Sequence, residues 1–264
     1  MPPVALTIAG SDPSGGAGIQ ADLKTFHQFG VYGEAVITLV TVQNTVRVSR
    51  VEVMPVALVR EQLAAVLEDI PPGAAKTGAL GSAEMVAAVA EAAGEFAFPL
   101  VVDPVMVSKH GLRLLPAAAT AAIKDLLLPR AFLLTPNVPE AEALTGLAIR
   151  SLEDMRRAAL RLGEMGARAV LLKGGHLEGD ATDLLWDGAG WHEFPAARVA
   201  TPHTHGTGCT YSAAITAGLA QGLALAAAVG GAKRYLDAAI RTNPGLGKGS
   251  GPVNHWASIE RNRQ

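Results

Sequence analysis

The sequence predicts one α/β domain, 1–264, built on a mostly parallel central sheet with helices on both faces. Short apolar runs without polar alternation, such as 4–9 and 100–102, are typical of strands buried on both faces. Stretches with helical periodicity separate these runs, and strands that alternate with helices form parallel sheets. A chain of 264 residues can fill one such domain, and it contains no linker or internal repeat that would divide it.

The predicted elements alternate along the chain. Strands are expected at 4–9, 35–42, 74–78, 100–102, 132–134 and 169–172. Helices are expected at 19–29, 56–69, 83–93 (after the cap residue Ser82), 116–128, 139–144, 152–165, 210–221 and 223–241. The runs 183–186 and 191–194, on either side of a turn that contains two glycines, indicate a small β-hairpin.

Composition and charge argue against several classes of protein. The 22 Lys and Arg residues nearly balance the 24 Asp and Glu residues, and no basic stripe indicates a nucleic-acid partner. The single cysteine rules out an intrachain disulfide framework. The first residues form no charged leader, and Gly, Pro or charge interrupts each apolar stretch before it reaches the length of a membrane span. We therefore expect a soluble, cytoplasmic protein without a membrane partner.

Polar residues and glycines follow the predicted strands. In open α/β sheets, ligands bind in the crevice at the carboxyl ends of the strands. One edge of the sheet should therefore collect Gly10-Ser11-Asp12, Gln43-Asn44, Lys76-Thr77-Gly78, Asp103, Asn137 and Lys173-Gly174-Gly175.

A Gly-rich turn, Thr204-His205-Gly206-Thr207-Gly208-Cys209-Thr210, precedes a helix of small residues. Such a turn presents unpaired N–H groups and the positive end of the helix dipole, which together favour phosphate. The alternative is that the glycines only form a tight loop. Cys209 falls at the helix start, where a thiol ionises most easily. It could be an inert thiol, a covalent nucleophile paired with His203 or His205, or a base that polarises a substrate hydroxyl.

Other candidates concern nucleotide and metal. Glu140 and Asp103 offer the oxygen ligands that Mg²⁺ prefers, although Glu140 could instead be a first-turn carboxylate favoured by the helix dipole. Asn137 lies one helical turn before Glu140. Lys173 could clamp ATP phosphates, and Lys233 is a weaker candidate. The G-x-G-x-x-A pattern at 16–21 is rejected as a dinucleotide site because it does not follow its strand directly, and no Walker motif is present.

Six motifs occur in order along the chain: 9–24, Val42-Gln43-Asn44, 102–106, 135–140, Lys173-Gly174-Gly175-His176 and 204–210. With them the chain closely resembles the hydroxymethylpyrimidine and phosphomethylpyrimidine kinases of thiamine biosynthesis, within the ribokinase superfamily. The resemblance extends to the tail at 251–255. The first and last motifs are highly specific, whereas Asn-x-x-Glu marks only the broad superfamily.

The resemblance implies a ribokinase-like fold and a definite activity. Such kinases phosphorylate 4-amino-5-hydroxymethyl-2-methylpyrimidine and then its monophosphate, with ATP as donor and Mg²⁺ as the required metal, and the relatives suggest a homodimer. The N–H groups of Gly206, Thr207, Gly208 and Cys209 would form the anion hole, which is most of what phosphoryl transfer needs. Cys209 takes the base position, where many members of the superfamily carry Asp, and the helix start would favour its thiolate.

The same resemblance suggests a substrate pocket. The Gln43 carboxamide offers a donor and an acceptor side by side, which complement an aminopyrimidine edge. Gly10, Ala17 and Val105 would line the ring pocket, with Asp22 as a further polar contact. At 78–80 the family often has Met after Gly, and the smaller Ala79 here could loosen the pocket.

Two alternatives accompany this interpretation. A pyridoxal or pyridoxine kinase is the enzymatic one, and Gln43 argues against it because pyridoxal lacks the amino–imine edge. A non-catalytic pyrimidine-binding protein is the other, and the joint presence of Cys209, Lys173 and Glu140 argues against it, because a binding protein needs no transfer machinery.

Overall fold

A computed structural model describes residues 1–107, 111, 114–175 and 181–259. The strands are β1 (Val4–Ser11), β2 (Tyr32–Gln43), β3 (Val48–Val53), β4 (Ala74–Thr77), β5 (Leu100–Val102), β6 (Leu133–Leu134), β7 (Val170–Leu172), β8 (Asp183–Trp186) and β9 (Trp191–Phe194). The α-helices are α1 (Gly18–Gln28), α2 (Val56–Asp69), α3 (Ala83–Ala93), α4 (Ala117–Ala122), α5 (Val138–Thr145), α6 (Leu152–Glu164), α7 (Thr207–Ala220) and α8 (Leu225–Arg241).

The nine strands form one sheet in the order β3-β2-β1-β4-β5-β6-β7-β8-β9. Strands β2, β1, β4, β5, β6 and β7 pair in parallel. The outer strands β3, β8 and β9 pair antiparallel to their neighbours. The predicted mostly parallel sheet is confirmed, and so is the hairpin, whose strands have the predicted bounds.

Three local predictions were wrong in detail. Strand β3 was missed because four of its six residues are exposed and no long apolar run marks it. The helix expected at 116–128 is interrupted, since a π-helical turn, Ile123–Leu127, follows α4. Helix α7 begins at Thr207 rather than at 210, which places Cys209 inside its first turn.

Helices cover both faces of the sheet. The larger hydrophobic core packs α2 to α6 against one face, and α1, α7 and α8 cover the other. Helix α7 is buried from Thr210 to Leu219 because its small residues allow close approach; a Cβ at Gly218 would already lie 3.0 Å from Ala228. In the part of the chain that the structure describes, no helix has both the length and the apolar character needed to cross a bilayer.

Candidate active site

A cavity of about 620 Å³ lies at the carboxyl edge of the sheet. It is formed where β1, β2, β4, β5, β6 and β7 end and where α7 begins, as the rule for open α/β sheets predicts. The predicted site residues that line it are Gly10, Ala17, Gln43, Asp103, Val105, Asn137, Glu140, Lys173, Gly206, Thr207, Gly208 and Cys209. Ala79 lines it as well. His176, which belongs to one of the motifs, lies outside the described residues.

The Gly-rich turn is built into the wall of this cavity. Gly206 caps α7 with a left-handed backbone, at φ 81°, and a Cβ there would lie 1.8 Å from the carbonyl oxygen of Gly16. Only glycine fits this position, because an L side chain would suffer both the strain and the collision. The first-turn N–H groups of α7 have no acceptors within the helix, so the turn can bind an anion.

Asp103 and Lys173 form an ion pair below this turn, with Lys173 Nζ 3.1 Å from Asp103 Oδ1. A Cβ added at Gly208 would lie 3.6 Å from both side chains, so the pair and the turn share one site. Burial alone would lower the pKa of Lys173, but Asp103 and Glu140 hold it above its ordinary value. Lys173 therefore remains a cation beside an anion-binding turn.

Glu140 has a structural role that the sequence left open. Glu140 and Asn137 form a capping box at the start of α5, in which each side chain accepts a backbone N–H of the other residue at 2.9 Å. Glu140 is buried, and burial raises its pKa to about 7, with Lys173 opposing the rise. Glu140 therefore lies in the first turn of α5, as the alternative interpretation expected, while the metal role of Glu140 and Asp103 stays a prediction.

The donor set fits Mg²⁺ only with help from a substrate. Among the described residues, no cluster of three or more His, Cys, Asp and Glu side chains could hold a metal ion. Mg²⁺, however, is usually held by one or two carboxylates together with waters and substrate phosphates. Asp103 and Glu140 beside a phosphate-binding turn meet that description.

Cys209 differs from the prediction in its ionisation. Its side chain is half-buried, and the loss of solvent raises the pKa of the thiol to about 12, with Lys76 opposing the rise. The expectation that the helix start favours a thiolate was therefore wrong, because desolvation outweighs the favourable charges nearby. The protein at neutral pH carries a thiol here, and its assignment as a base remains a prediction.

Gln43 faces His205 from the end of β2. Its Nε2 lies 3.1 Å from Nε2 of His205, and the same ring nitrogen lies 2.8 Å from Oδ2 of Asp12. Asp12 also accepts hydrogen bonds from the backbone N–H groups of Ser14 and Ala17, so it organises the loop between β1 and α1. The sequence had suggested His205 as a possible partner of Cys209, and the structure places its ring beside Asp12 and Gln43.

Two predicted contacts lie outside the cavity. Asp22 is fully buried and accepts hydrogen bonds from Lys76 at 2.8 Å and from Thr7 at 2.6 Å. Lys233 pairs with Asp183 at 2.6 Å. Neither Asp22 nor Lys233 is among the residues that line the cavity, and their expected contacts with substrate and nucleotide stay predictions.

Three residues, namely Asp12, Lys76 and His205, have long-range polar contacts that the sequence pattern did not predict. A signal for Lys76 was present: one charge interrupts a short strand whose four residues are all buried. A signal for Asp12 was its place directly after β1 and before a glycine-containing loop. Their partners are far away in the chain, so the pairings themselves were not readable.

The sheet has the architecture of a ribokinase-like kinase, and the turn, the lysine and the two carboxylates at its carboxyl edge are the kinds of group that phosphoryl transfer requires. The sequence profile of the family described as phosphomethylpyrimidine kinase matches residues 12–254. The chain belongs to this family.

Relatives agree with this assignment. The chain is 48% identical over 256 residues to the hydroxymethylpyrimidine/phosphomethylpyrimidine kinase of Bacillus subtilis, covering 96% of this chain and 94% of that protein. It is 52% identical to the thiamine biosynthesis bifunctional protein ThiED of Geobacter sulfurreducens, where 97% of this chain covers 52% of the longer relative.

Solved structures share the fold. The ADP complex of Bacillus subtilis pyridoxal kinase superposes with a TM-score of 0.91 at 38% identity, over 97% of this chain and 98% of that one. The phosphomethylpyrimidine kinase of Clostridium difficile 630 superposes with a TM-score of 0.80 at 43% identity, over 89% and 97% of the two chains.

Proposed function

We propose that this kinase uses ATP to phosphorylate 4-amino-5-hydroxymethyl-2-methylpyrimidine and then its monophosphate. One observation carries the proposal: an amide-bearing side chain, Gln43, lines the same cavity as a phosphate-binding turn and Lys173. The cavity can therefore hold an aminopyrimidine and a transferring phosphoryl group together. Named relatives with hydroxymethylpyrimidine kinase activity, and solved relatives in complex with ADP and AMP-PCP, support the two substrates.

The acceptor end of the cavity suits the pyrimidine. The part of the cavity lined by Gly10, Ala17 and Val105 leaves room for a ring. A Cβ added at Gly10 would lie 2.5 Å from the Leu39 side chain, so a larger residue at this position would crowd the pocket. Gln43 supplies a donor and an acceptor, which complement the amino group and the adjacent ring nitrogen. Pyridoxal has no such edge and would leave one of these groups unpaired, which costs affinity.

The transfer end supplies charge stabilisation. The hydroxymethyl oxygen attacks the γ-phosphorus of ATP, the bond to the bridging oxygen breaks, and ADP leaves. The N–H groups of Gly206, Thr207, Gly208 and Cys209, with Lys173, stabilise the negative charge on the transferring phosphoryl oxygens. Asp103 and Glu140 would hold Mg²⁺, which neutralises phosphate charge when it is bound.

Cys209 is proposed to accept the hydroxymethyl proton. Only its thiolate can do so, and with a pKa of about 12 the thiolate is a small fraction at neutral pH. At pH values below the pKa, the thiolate fraction increases about tenfold for each unit by which the pH is raised. The base step therefore makes the rate increase with pH, which gives the assignment a measurable signature.

Product mass is the direct test. The protein is incubated with ATP, Mg²⁺ and either the hydroxymethylpyrimidine or pyridoxal, and the products are identified by mass spectrometry. We expect the pyrimidine monophosphate and diphosphate, with little pyridoxal phosphate. Pyridoxal phosphate alone would overturn the substrate and retain the transfer site; this alternative is worth testing because several solved relatives are pyridoxal kinases.

The proposal includes a homodimer in the cytoplasm. The dimer is tested by light scattering after gel filtration, where a mass near twice that of one chain is expected. A single-chain mass over the whole concentration range would contradict it.

A further inference from the structure

His205 stands between a carboxylate and the amide that is proposed to read the substrate. A single ring nitrogen, Nε2, lies 2.8 Å from Oδ2 of Asp12 and 3.1 Å from the terminal atom of Gln43. The three side chains come from the loop after β1, from the end of β2 and from the residue before the cap of α7. The contact therefore connects Gln43, which is proposed to recognise the pyrimidine ring, with the loop after β1 and the loop before α7.

The Asp12 carboxylate determines where the His205 proton lies. Its oxygens accept the N–H of Ser14 at 2.9 Å, the hydroxyl of Ser14 at 2.7 Å and the N–H of Ala17 at 3.0 Å. A carboxyl group surrounded by donors is an ionised acceptor. Nε2 of His205 must therefore carry a hydrogen and donate it to Asp12.

That proton determines the direction of the Gln43 amide. The oxygen and nitrogen of a carboxamide have nearly the same shape, and their assignment follows from their hydrogen bonds. With Nε2 of Gln43 beside the protonated ring nitrogen, two donors would face each other. Turning the amide over brings Oε1 to His205, where it shares the N–H that also bonds to Asp12.

We propose that His205, held by Asp12, is a positioning residue that fixes the donor–acceptor order of Gln43 and thereby the substrate's functional groups. With one lone pair of Oε1 satisfied by His205, the other lone pair and the amide N–H remain for a ligand. They accept from an exocyclic amine and donate to the neighbouring ring nitrogen. A 4-oxo pyrimidine, whose edge has a carbonyl and a ring N–H, presents the reverse order and is rejected.

The surroundings keep His205 in place. Its exposed fraction is 3%, and a Cβ added at Gly16 would lie 2.5 Å from its ring. Its backbone N–H donates to the carbonyl of Gly251 at 3.0 Å, and its carbonyl accepts from Val253 at 3.3 Å. A clamped imidazole holds the amide with little loss of conformational entropy when substrate binds.

The inference rests on the proposed function of Gln43, and the test separates the two. Activity with the 4-amino pyrimidine and with its 4-oxo analogue is compared for the wild type, His205→Leu, His205→Gln and Gln43→Leu. We expect the wild type to prefer the amino compound by about 100-fold in kcat/KM, because the wrong order leaves two groups mispaired. His205→Leu frees the amide to turn over, so this ratio should decrease about tenfold, while the KM for ATP stays the same.

The two variants calibrate this result. His205→Gln retains an N–H donor and should keep most of the preference for the amino compound. Gln43→Leu should lose this preference although His205 is still present. A His205→Leu enzyme that loses activity equally on both pyrimidines has only lost structure, and the inference is then wrong. If Gln43→Leu does not change the preference, the proposed role of Gln43 is wrong as well.

A second measurement uses the unmodified protein. Nitrogen-15 NMR of the imidazole rings reports which ring nitrogen carries hydrogen. We expect His205 to carry one on Nε2 without any substrate present. A neutral His205 with hydrogen only on Nδ1 would overturn the inference even if the kinase activity is confirmed.

Discussion

Two lysine–aspartate pairs of similar chemistry lie at the same edge of the sheet and serve different purposes. Lys76 and Asp22 are 2.8 Å apart, and the exposed fraction of both side chains is zero. Lys173 and Asp103 are 3.1 Å apart, and 14% of the Lys173 side chain is exposed to the cavity. The first pair is sealed inside the protein, and the second is open to a ligand.

The difference shows that access, and not residue type, decides which pair can act on a substrate. Lys76 lies within β4 and Lys173 follows β7, and the sequence places both at the edge of the sheet where a ligand was expected. Asp22 accepts hydrogen bonds from the Lys76 ammonium at 2.8 Å and from the Thr7 hydroxyl at 2.6 Å. Lys173 instead lies beside the first turn of α7, where a Cβ added at Gly208 would be 3.6 Å from Lys173 Nζ. Lys76 still influences the site, because its charge opposes the high pKa of the Cys209 thiol.

Breaking the sealed pair should have the largest effect. Asp22→Ala leaves the Lys76 ammonium buried without a counter-charge, and the free energy of unfolding should decrease by about 3–5 kcal/mol. Urea denaturation measures this loss. The matched control is the double variant Asp22→Leu with Lys76→Met, which replaces the pair by apolar groups and should recover most of the stability. A single variant as stable as the wild type would mean that the pair is solvated.

Breaking the open pair should affect turnover instead. Lys173→Met removes the cation beside the anion-binding turn, so kcat should decrease by about 100- to 1,000-fold. Steady-state kinetics at saturating substrates measure the decrease in kcat. Urea denaturation should show a much smaller loss of stability for Lys173→Met than for Asp22→Ala. If stability decreases as much as for the sealed pair and kcat does not, the comparison between the two pairs is wrong.

Cys209 provides a pH test of the influence of Lys76 on the site. In the wild type, kcat should increase from about pH 7 to about pH 9, because the thiolate fraction increases toward a pKa of about 12. Cys209→Ala should lower kcat by about 100-fold and remove this slope. Lys76→Met removes the charge that favours the thiolate, so the pKa of Cys209 should be higher and the same rate should require a higher pH. Unchanged activity in Cys209→Ala would mean that the thiol is not the base and that the N–H groups of the turn are sufficient for phosphoryl transfer.

Glu140 should show the smallest effect on stability. Glu140→Gln keeps an acceptor for the Asn137 N–H, so the capping box survives and stability should change by less than about 1 kcal/mol. The Mg²⁺ concentration needed for half the maximal rate should increase in this variant. In the wild type that concentration should increase as pH decreases through about 7, because protonation of Glu140 competes with the metal. Glu140→Ala, which loses the cap as well, separates the two roles by its additional loss of stability.

Much of the site was predictable because the carboxyl ends of parallel strands meet at one edge. Gln43, Asp103, Asn137 and Lys173 follow different strands, and the cavity brings all four together. The substrate, nucleotide and metal roles of these residues stay predictions. Asp22 and Lys233 each pair with an oppositely charged residue more than 40 residues away in the chain, which local sequence does not reveal, and their proposed ligand contacts stay predictions.

Apart from β3 and the interruption after α4, the amino-acid sequence by itself determined the order of strands and helices, the mostly parallel sheet, the hairpin and the Gly-rich turn. These depend on local periodicity and on backbone conformations that glycine permits. Only the tertiary structure decided which charges are sealed and which are open, that Cys209 is protonated, and that His205 contacts Gln43 across 162 residues of chain. Burial and long-range pairing depend on how distant segments pack, and desolvation then sets the pKa values that local sequence cannot encode.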